Sequence, residues 1–433
     1  MVLEFWLTFH HAVGLMVKLI SSRLSPFRHQ DFRRFFFVQT LSQVGTWSHE
    51  LARAWIVIEI MGKAGALGML MLAMALPAFL LILQGGVVVD RSDVRKTMML
   101  TKALLAASAL ILAFMVEFTQ IQFWHLLVFA MIEGAVNAFD QPAYQTITPR
   151  LVPRADFQQA MALNSTNFHA SRMLGPLLAG LLMAWQGPAL VFLVDGLSYL
   201  GVILILRTLE LKHGKKPVSP PVQPGKGPNW FALFEGVRYM FSNSSLRYRI
   251  LQLLLNISLL FPLLIVVFRV YIQERFELTA EQFGYLFTFP AMGSMAGAIT
   301  FTLVKPKHPI KALVFGVPFA SLAVFFLPLV QSASQAGVLM SLTGFSLYLS
   351  FAALTVSLHL EVLEEFRGRM GSVIGLCFLS IGPLMSFPIG LLADKFTAPV
   401  VMQGLAVVFL LLSGLLALGH KLNEEREAKG EHS

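Results

Sequence analysis

The chain has 433 residues, of which 56% are hydrophobic and only 13% are charged. That much apolar surface exceeds what a soluble fold of this length can bury, so the composition excludes an ordinary soluble protein and indicates a membrane protein. The formal net charge of +9 does not indicate nucleic-acid binding, because the basic residues lie in short loops between apolar runs. Runs of about 20 apolar residues are typical of spanning helices and not of barrel strands.

The first segment, residues 1–34, is predicted to be a cytoplasmic N-terminal or interfacial segment. Glu4, His10 and His11, together with the lack of a small-residue cleavage site, argue against a cleaved signal peptide. The low charge of residues 2–20 leaves two structures open, an interfacial helix or an additional membrane span.

Two sets of six apolar runs follow, one within residues 35–209 and one within residues 246–420. The first set predicts spans at 35–61, 65–89, 97–117, 122–147, 158–185 and 187–209. The second set predicts spans at 246–272, 279–304, 309–330, 335–361, 370–393 and 398–420. Residues 210–245, rich in proline and lysine, are predicted to form a cytoplasmic linker that ends in an amphipathic helix, and residues 421–433 a cytoplasmic tail.

The uneven distribution of Lys and Arg between alternate connections predicts the orientation. Basic residues precede span one and follow spans two, four, eight and ten, whereas the opposite connections hold little beyond Lys63, Arg275 and Lys395. By the positive-inside rule, the basic side is cytoplasmic and both termini lie inside. We therefore expect a multi-pass protein of the bacterial inner membrane.

Charged residues within spans are costly in a bilayer, so each is a candidate functional residue. Glu50 and Arg53 lie three apart in span one and are predicted to neutralise each other on one helix face. Glu133 is predicted near mid-membrane, with Arg172 at similar depth and Asp195 nearer the outside. We favour Glu133 as a proton carrier whose proton affinity is tuned by Arg172, against the alternative that a carboxylate fixed to Arg merely holds the bundle together.

The connection between spans two and three reads GGVVVDRSDVRK. It resembles the cytoplasmic signature of the major facilitator superfamily, a Gly followed four residues later by Asp-Arg and then by a basic pair. The resemblance implies a cytoplasmic gate composed of Gly86, Asp90, Arg91, Asp93, Arg95, Lys96 and Asp140. In this gate Gly86 would permit close helix contact, and Asp140 would pair with a basic residue of the loop. The chain departs from the pattern at Asp93, where a second Gly is usual, and at Val94, where a basic residue is usual.

The Asp93 variant resembles the enterobactin-exporter and macrolide-efflux branch of that superfamily. Three longer segments carry the same resemblance: FRRFFFVQTLSQVGTW, FDQPAYQTITPRLVPRADFQQAMALNSTNF and SRMLGPLLAG. The C-terminal half is less distinctive, and its KPKHPIK turn lacks the acidic residue of the pattern. The resemblance implies an all-α membrane protein with the major facilitator fold, in which twelve transmembrane helices form two six-helix bundles.

Span five contains Gly175, Pro176 and Gly180, which resemble the motif associated with antiporters of this superfamily. Small residues permit close helix packing, and Pro176 leaves one carbonyl without its helical partner, which makes a compliant point. The Gly-Pro pair recurs as Gly382 and Pro383 in span eleven, so the two halves resemble each other.

These patterns predict a secondary transporter, specifically a proton-coupled exporter of small amphipathic or hydrophobic molecules of the drug or siderophore type. A lysophospholipid transporter of the same fold and a transport-dead receptor or scaffold are the alternatives. An enzyme is not expected, because the sequence shows no nucleophile–base pair or metal-ligand spacing. The expected partners are the lipid bilayer, a small-molecule cargo and protons. No cofactor, metal or nucleic acid is expected, and the protein is expected to be monomeric.

Overall fold

The computed structural model describes residues 24–209, 230–304, 306–363, 366–377 and 381–428. Within these ranges the chain forms helices and short connections, without a strand. The predicted interfacial or spanning segment at 2–20 and most of the predicted linker, residues 210–229, lie outside the described residues.

Six long helices form the N-terminal half. They are α1 (Gln30–Met61), α2 (Ala64–Arg91), α3 (Val94–Phe118), α4 (Phe123–Ile147), α5 (Phe157–Gln186) and α6 (Pro188–Thr208). Short connections keep neighbouring helices antiparallel. The first helix, α1, ends at Met61 and is capped by Gly62, whose φ of 58° lies in the left-handed region that favours glycine. The last, α6, begins at Pro188, whose fixed φ suits the first turn of a helix.

The C-terminal half begins with the short helix α7 (Trp230–Ser242), at the position of the predicted amphipathic helix. The helices that follow are α8 (Ser244–Leu255), α9 (Phe268–Phe276), α10 (Ala280–Val304), α11 (Leu313–Phe326), α12 (Ala333–Glu361), α13 (Arg367–Leu376), α14 (Gly382–Phe396) and α15 (Ala398–Ala428). Two π-helical segments, Asn256–Leu260 and Leu263–Val267, join α8 and α9 into one span. Widened turns of this kind are frequent at functional sites.

Eight segments of the described residues are long and apolar enough to cross a membrane. They are Ala64–Ile82, Val94–Phe118, Pro188–Thr208, Ser244–Phe276, Ala280–Val304, Pro309–Leu329, Ala333–Glu361 and Ala398–Asn423. The helices α1, α4 and α5 are also long, at 32, 25 and 30 residues, but they are not among these eight segments. They carry buried polar or charged residues of the N-terminal half.

Each half is a bundle with its own helix packing. In the N-terminal bundle, α2 packs on α4, α3 on α6, and α1 on both α5 and α6. In the C-terminal bundle, α10 and α11 pack on α12. Two helix pairs, α2 with α14 and α5 with α10, make the main contacts between the bundles. A cavity lies between the bundles and is lined by both.

Candidate functional site

The cavity has a volume of about 390 Å³, within the range of about 300–1,000 Å³ typical of small-molecule sites. Helices of both bundles line it, and its wall is largely apolar and aromatic. Six charged side chains and one histidine interrupt that wall: Glu50, Arg53, Glu133, Arg172, Asp195, Arg269 and His49. Because charged groups are costly in a bilayer, their partners decide what this cavity can do.

Four of these side chains form a buried charge cluster within the N-terminal bundle. Arg53 of α1 pairs with Glu133 of α4. His49 lies one turn earlier on the same face of α1, so both side chains reach into the same space. Its Nε2 lies 3.2 Å from Glu133, and its Nδ1 lies 2.9 Å from Asp195 of α6. One imidazole therefore connects two carboxylates, and a guanidinium neutralises one of them.

The partners of the charged residues differ from those predicted. Glu50 does not neutralise Arg53, because it faces the other bundle and accepts a hydrogen bond from Arg269 of α9 at 3.3 Å. Arg172 does not contact Glu133, and its guanidinium lies 5.5 Å from the ring centroid of Trp47. Helical spacing shows which residues share a face, but it does not show which neighbouring helix that face meets.

Asp140 also has a different partner from the predicted one. It is buried between α3 and α4, where Lys102 donates to it at 2.8 Å and Thr101 at 2.6 Å. Both donors lie within α3, deeper than the basic residues of the α2–α3 connection. A buried carboxylate requires a partner at its own depth, which the loop residues do not provide.

The predicted gate residues lie at the end of the molecule that carries the α2–α3 connection, here called the α2–α3 end. Asp93 caps α3 by accepting a hydrogen bond from the backbone N–H of Arg95 at 3.0 Å, while Asp90, Arg91 and Lys96 are exposed. The Arg95 side chain donates to the carbonyl of residue 209 at 3.0 Å. No bond between this motif and the C-terminal bundle is found among the described residues.

The close helix contact expected at Gly86 is made by its neighbour. A Cβ at Gly85 would collide with the carbonyl of Ala138 on α4, whereas a Cβ at Gly86 would meet nothing within 4 Å. Adjacent helical residues point about 100° apart, so only one of a Gly pair can face a given neighbour.

The antiporter-like residues lie at helix contacts. Ser48 of α1 donates to the carbonyl of Gly175 at 2.8 Å, and Gly180 packs against Gly284 of the opposite bundle. A Cβ at Gly382 would lie 2.9 Å from the ring of Phe261. The adjacent prolines, Pro176 and Pro383, both line the cavity.

The bundles meet at the end that carries the α1–α2 connection, here called the α1–α2 end. The Asp394 carboxylate of α14 accepts the first backbone N–H groups of α2, those of Ala64 at 2.8 Å and Gly65 at 2.9 Å. A Cβ at Gly68 would collide with the backbone of residues 386 and 387. Trp55 and Phe283 pack across the same interface with ring centroids 5.1 Å apart. These contacts close the cavity at the α1–α2 end.

An ionic contact outside the spans ties the N-terminal turn to the α4–α5 connection. Asp156 accepts a hydrogen bond from Ser25 at 2.5 Å and contacts Nε2 of His29 at 2.7 Å. The hydrogen bonds from Ser25 and His29 hold the pKa of Asp156 below its ordinary value.

Sequence reasoning missed four functional candidates: His49, Lys102, Arg269 and Asp394. A usable signal existed for His49, since it lies four residues before Arg53 on the same helix face. Lys102 and Arg269 lie within predicted spans, where any charged residue is a candidate. Asp394 lies just beyond the predicted end of span eleven, and only the structure shows its contact with α2.

Comparison with known proteins assigns the fold and the family. Residues 21–433 match the family described as transmembrane secretion effector. The staphyloferrin A transporter of Staphylococcus aureus is 25% identical over 377 residues, which cover 84% of this chain and 89% of that one. The multidrug efflux pump Tap of Mycolicibacterium fortuitum is 25% identical over 385 residues, covering 85% and 89%.

A solved structure has the same fold. The crystal structure of a bacterial homologue of the iron transporter ferroportin, in an inward-facing state, superposes with a TM-score of 0.68 at 17% identity, covering 90% of this chain and 98% of that one. The predicted all-α major facilitator fold is confirmed. The predicted membership of the major facilitator superfamily is confirmed as well. The family and the relatives are transporters and not enzymes, as predicted. The chain belongs to the transmembrane secretion effector family of major facilitator transporters.

Proposed function

We propose that this transporter is a proton-coupled exporter that moves small amphipathic molecules across the bacterial inner membrane by alternating access. The observation that carries the proposal is the cavity between the bundles. Both bundles line this cavity, and contacts between the bundles close it at the α1–α2 end. A site at such an interface opens to one side or the other when the bundles rock against each other.

The distribution of basic residues supports an orientation with the α1–α2 end outside and the α2–α3 end in the cytoplasm. In that orientation the structure represents an inward-facing state. The exposure of Asp90, Arg91 and Lys96 agrees with this assignment, because the gate they form would close only in the opposite state.

The charge cluster is our candidate for proton coupling. Glu133, His49 and Asp195 are in contact, and groups at such distances titrate as a unit whose protons are shared. The fixed cation paired with them from α1 is Arg53, and Lys102 of α3 also interacts electrostatically with Asp195. Protonation of Glu133 would weaken its pair with Arg53, so proton binding would alter the contact between α1 and α4.

Export is the direction that the relatives support. The Tap relatives are named as multidrug efflux pumps, and a partial relative from Streptococcus pyogenes, 25% identical over 174 residues, is named macrolide efflux protein A. The staphyloferrin A transporter indicates that siderophore-type cargo occurs among relatives as well. We extend efflux, the activity for which the Tap and macrolide relatives are named, to this chain.

Inverted membrane vesicles test the proposal. Acidifying the lumen should drive accumulation of at least one member of a panel of fluorescent cationic, neutral and anionic amphiphiles, and a protonophore should abolish it. Glu133→Gln should remove gradient-driven accumulation while permitting exchange of preloaded compound, because the amide keeps the shape without titrating. Glu117→Gln, an exposed position on α3, is the matched control and should behave as the parent. Full gradient-driven transport by Glu133→Gln would refute the proton assignment, and no transport of any compound would refute the exporter proposal.

A further inference from the structure

The cavity contains a second group of charges, formed by Arg172, Arg269 and Glu50. These three residues come from α5, α9 and α1, so the group spans both bundles. Two guanidinium groups face a single carboxylate there. Arginine remains protonated in proteins, so this subsite carries an excess positive charge whenever Glu50 is ionised.

The other carboxylates of the cavity are engaged elsewhere. Glu133 is paired with Arg53 and lies 3.2 Å from His49, and Asp195 contacts the other nitrogen of that histidine. None of them contacts Arg172 or Arg269 among the described residues. The excess charge is therefore local to this subsite and is not neutralised by the charge cluster.

Arg269 has donors without acceptors. Its side chain is 11% exposed. One of its nitrogens, Nη2, donates to Glu50 at 3.3 Å, while Nε and Nη1 are buried with no hydrogen-bond partner in the described structure. A buried unpaired donor on a charged group is destabilising, and such groups in native proteins normally have a partner. An acceptor entering the cavity would supply that partner.

Arg172 has no carboxylate of its own. It lines the cavity and stacks on Trp47, with 5.5 Å between the guanidinium carbon and the ring centroid, and among the described residues it makes no ion pair. Its electrostatic neighbours are Glu50, which attracts it, and Arg269, which repels it. Arg269 itself lies 5.4 Å from the ring of Phe287. Aromatic stacking occupies the face of a guanidinium and leaves the N–H groups at its edge available to an oxyanion.

We propose that the cavity selects amphipathic anions, with a carboxylate or phosphate group held between Arg172 and Arg269 and an apolar body against the aromatic wall. The carboxylate of Glu50 keeps Arg269 partly neutralised when the site is empty and competes with the cargo anion. Planar guanidinium donors bind carboxylates and phosphates in the same two-pronged way, which is the chemistry shared by both headgroups. The wall that receives the apolar body includes Trp47, Phe261 and Phe287.

This inference rests on the proposed function only in taking the cavity to be the cargo site, so it is tested by equilibrium binding without a gradient. The probe is 11-(dansylamino)undecanoic acid, whose fluorescence reports binding to purified protein in detergent at pH 7.5. Its neutral primary amide and the cation dodecyltrimethylammonium are the comparisons, because they replace the negative headgroup with a neutral or a positive one. We expect the acid to bind at least tenfold more tightly than the amide, and the cation not to compete. Competition by monododecyl phosphate distinguishes the headgroups: stronger competition than by dodecanoate assigns the site to phosphates, and weaker competition assigns it to carboxylates.

Variants of the three charged residues test which side chains bind the headgroup of the acid. Arg172→Gln and Arg269→Gln should each weaken binding of the acid on the order of 10- to 100-fold, the range for losing a charge-assisted hydrogen bond, and leave the amide unchanged. Glu50→Gln should strengthen binding of the acid several-fold, because it removes the competing carboxylate. Arg247→Gln, an exposed Arg outside the cavity, is the matched control and should change nothing.

Equal binding of the acid and the amide by the parent protein would overturn the inference without any variant, and so would absence of saturable binding of the acid. Unchanged acid binding in both well-folded arginine variants would also overturn it. These outcomes leave the exporter proposal standing if vesicles still transport neutral or cationic compounds. Conversely, tight anion binding with no transport of any compound would refute export and retain the anion site.

Discussion

The contact between Asp394 and the start of α2 should stabilise the state that is closed at the α1–α2 end. Two backbone N–H groups of α2, at 2.8 Å and 2.9 Å, donate to this one carboxylate across the interface between bundles. Asp394→Asn keeps an oxygen acceptor and a similar shape, but it removes the charge that complements the positive end of the helix.

The size of the effect follows from the geometry. A carboxylate at a helix N-terminus contributes about 0.3–1 kcal/mol at exposed sites, and a charged acceptor adds about 1 kcal/mol over a neutral one for each bond. Because the Asp394 side chain is exposed, solvent screening reduces this total. We therefore expect the closed state to lose about 1 kcal/mol, which is roughly a fivefold shift toward opening at this end.

The rate at which a cysteine in the cavity reacts with an external reagent measures the shift toward opening. Leu264, which lines the cavity, is replaced by Cys in a Cys377→Ser background, and its reaction with a membrane-impermeant maleimide is followed in intact cells. In the proposed orientation the reagent enters only through the α1–α2 end. We expect Asp394→Asn to raise the reaction rate about fivefold, in line with the population shift.

The control is Lys395→Gln, which changes the charge at the adjacent exposed position without touching α2. Asp394→Glu, which keeps the charge, should give an intermediate rate. A rate for Asp394→Asn equal to that of the parent, or an equal increase in Lys395→Gln, would refute the reasoning.

Three further predictions test other contacts. Lys102→Met should lower stability by about 3–5 kcal/mol because it leaves Asp140 buried without its cation, and the double variant with Asp140→Asn should recover much of the loss in thermal unfolding. Asp156→Asn should lower the midpoint of thermal unfolding at pH 7. Because the native pKa of Asp156 is lowered, its contribution to stability is present above the unfolded pKa and is lost as the pH falls through the native pKa, so the variant and the parent should converge only below the unfolded pKa. Convergence at higher pH, or none, would contradict that assignment. Gly68→Val should abolish transport by colliding with the backbone of α14, whereas Gly86→Val, which enters open space, should be tolerated.

The fold was predictable because its signals are long and repeated. Each span is a run of apolar residues bounded by charge, Gly or Pro, and errors at the ends were small: α1 begins at Gln30, ahead of the predicted start at residue 35, and α15 runs to Ala428. Membership of the superfamily was also predictable, since the GGVVVDRSDVRK loop has a spacing that ordinary basic loops lack.

The partners within the site were not predictable to the same degree. The sequence identified Glu50, Arg53 and Glu133 as charged residues within spans, and in the structure all three line the cavity. A helical period, however, fixes only the face on which a residue lies. The partner of Arg53 is 80 positions away in the chain, and that of Glu50 is 219 away, so tertiary packing decides both pairs. His49 was not identified as a candidate from the sequence: its helical spacing from Arg53 indicates a shared face, but it gives no sign of the two carboxylates that contact the imidazole.

The most direct test of the account is whether the two ends of the molecule move in opposite senses. Spin labels at Lys63 and Thr397 report the α1–α2 end, and labels at Ser92 and Leu363 report the α2–α3 end, because all four positions are exposed. Distance distributions are measured by double electron–electron resonance in lipid nanodiscs at pH 8 and pH 5.5. Proton-linked alternating access predicts that the change of pH lengthens one distance in part of the population and shortens the other to a similar extent. Two distances that lengthen together, or that stay fixed at both pH values, would contradict it.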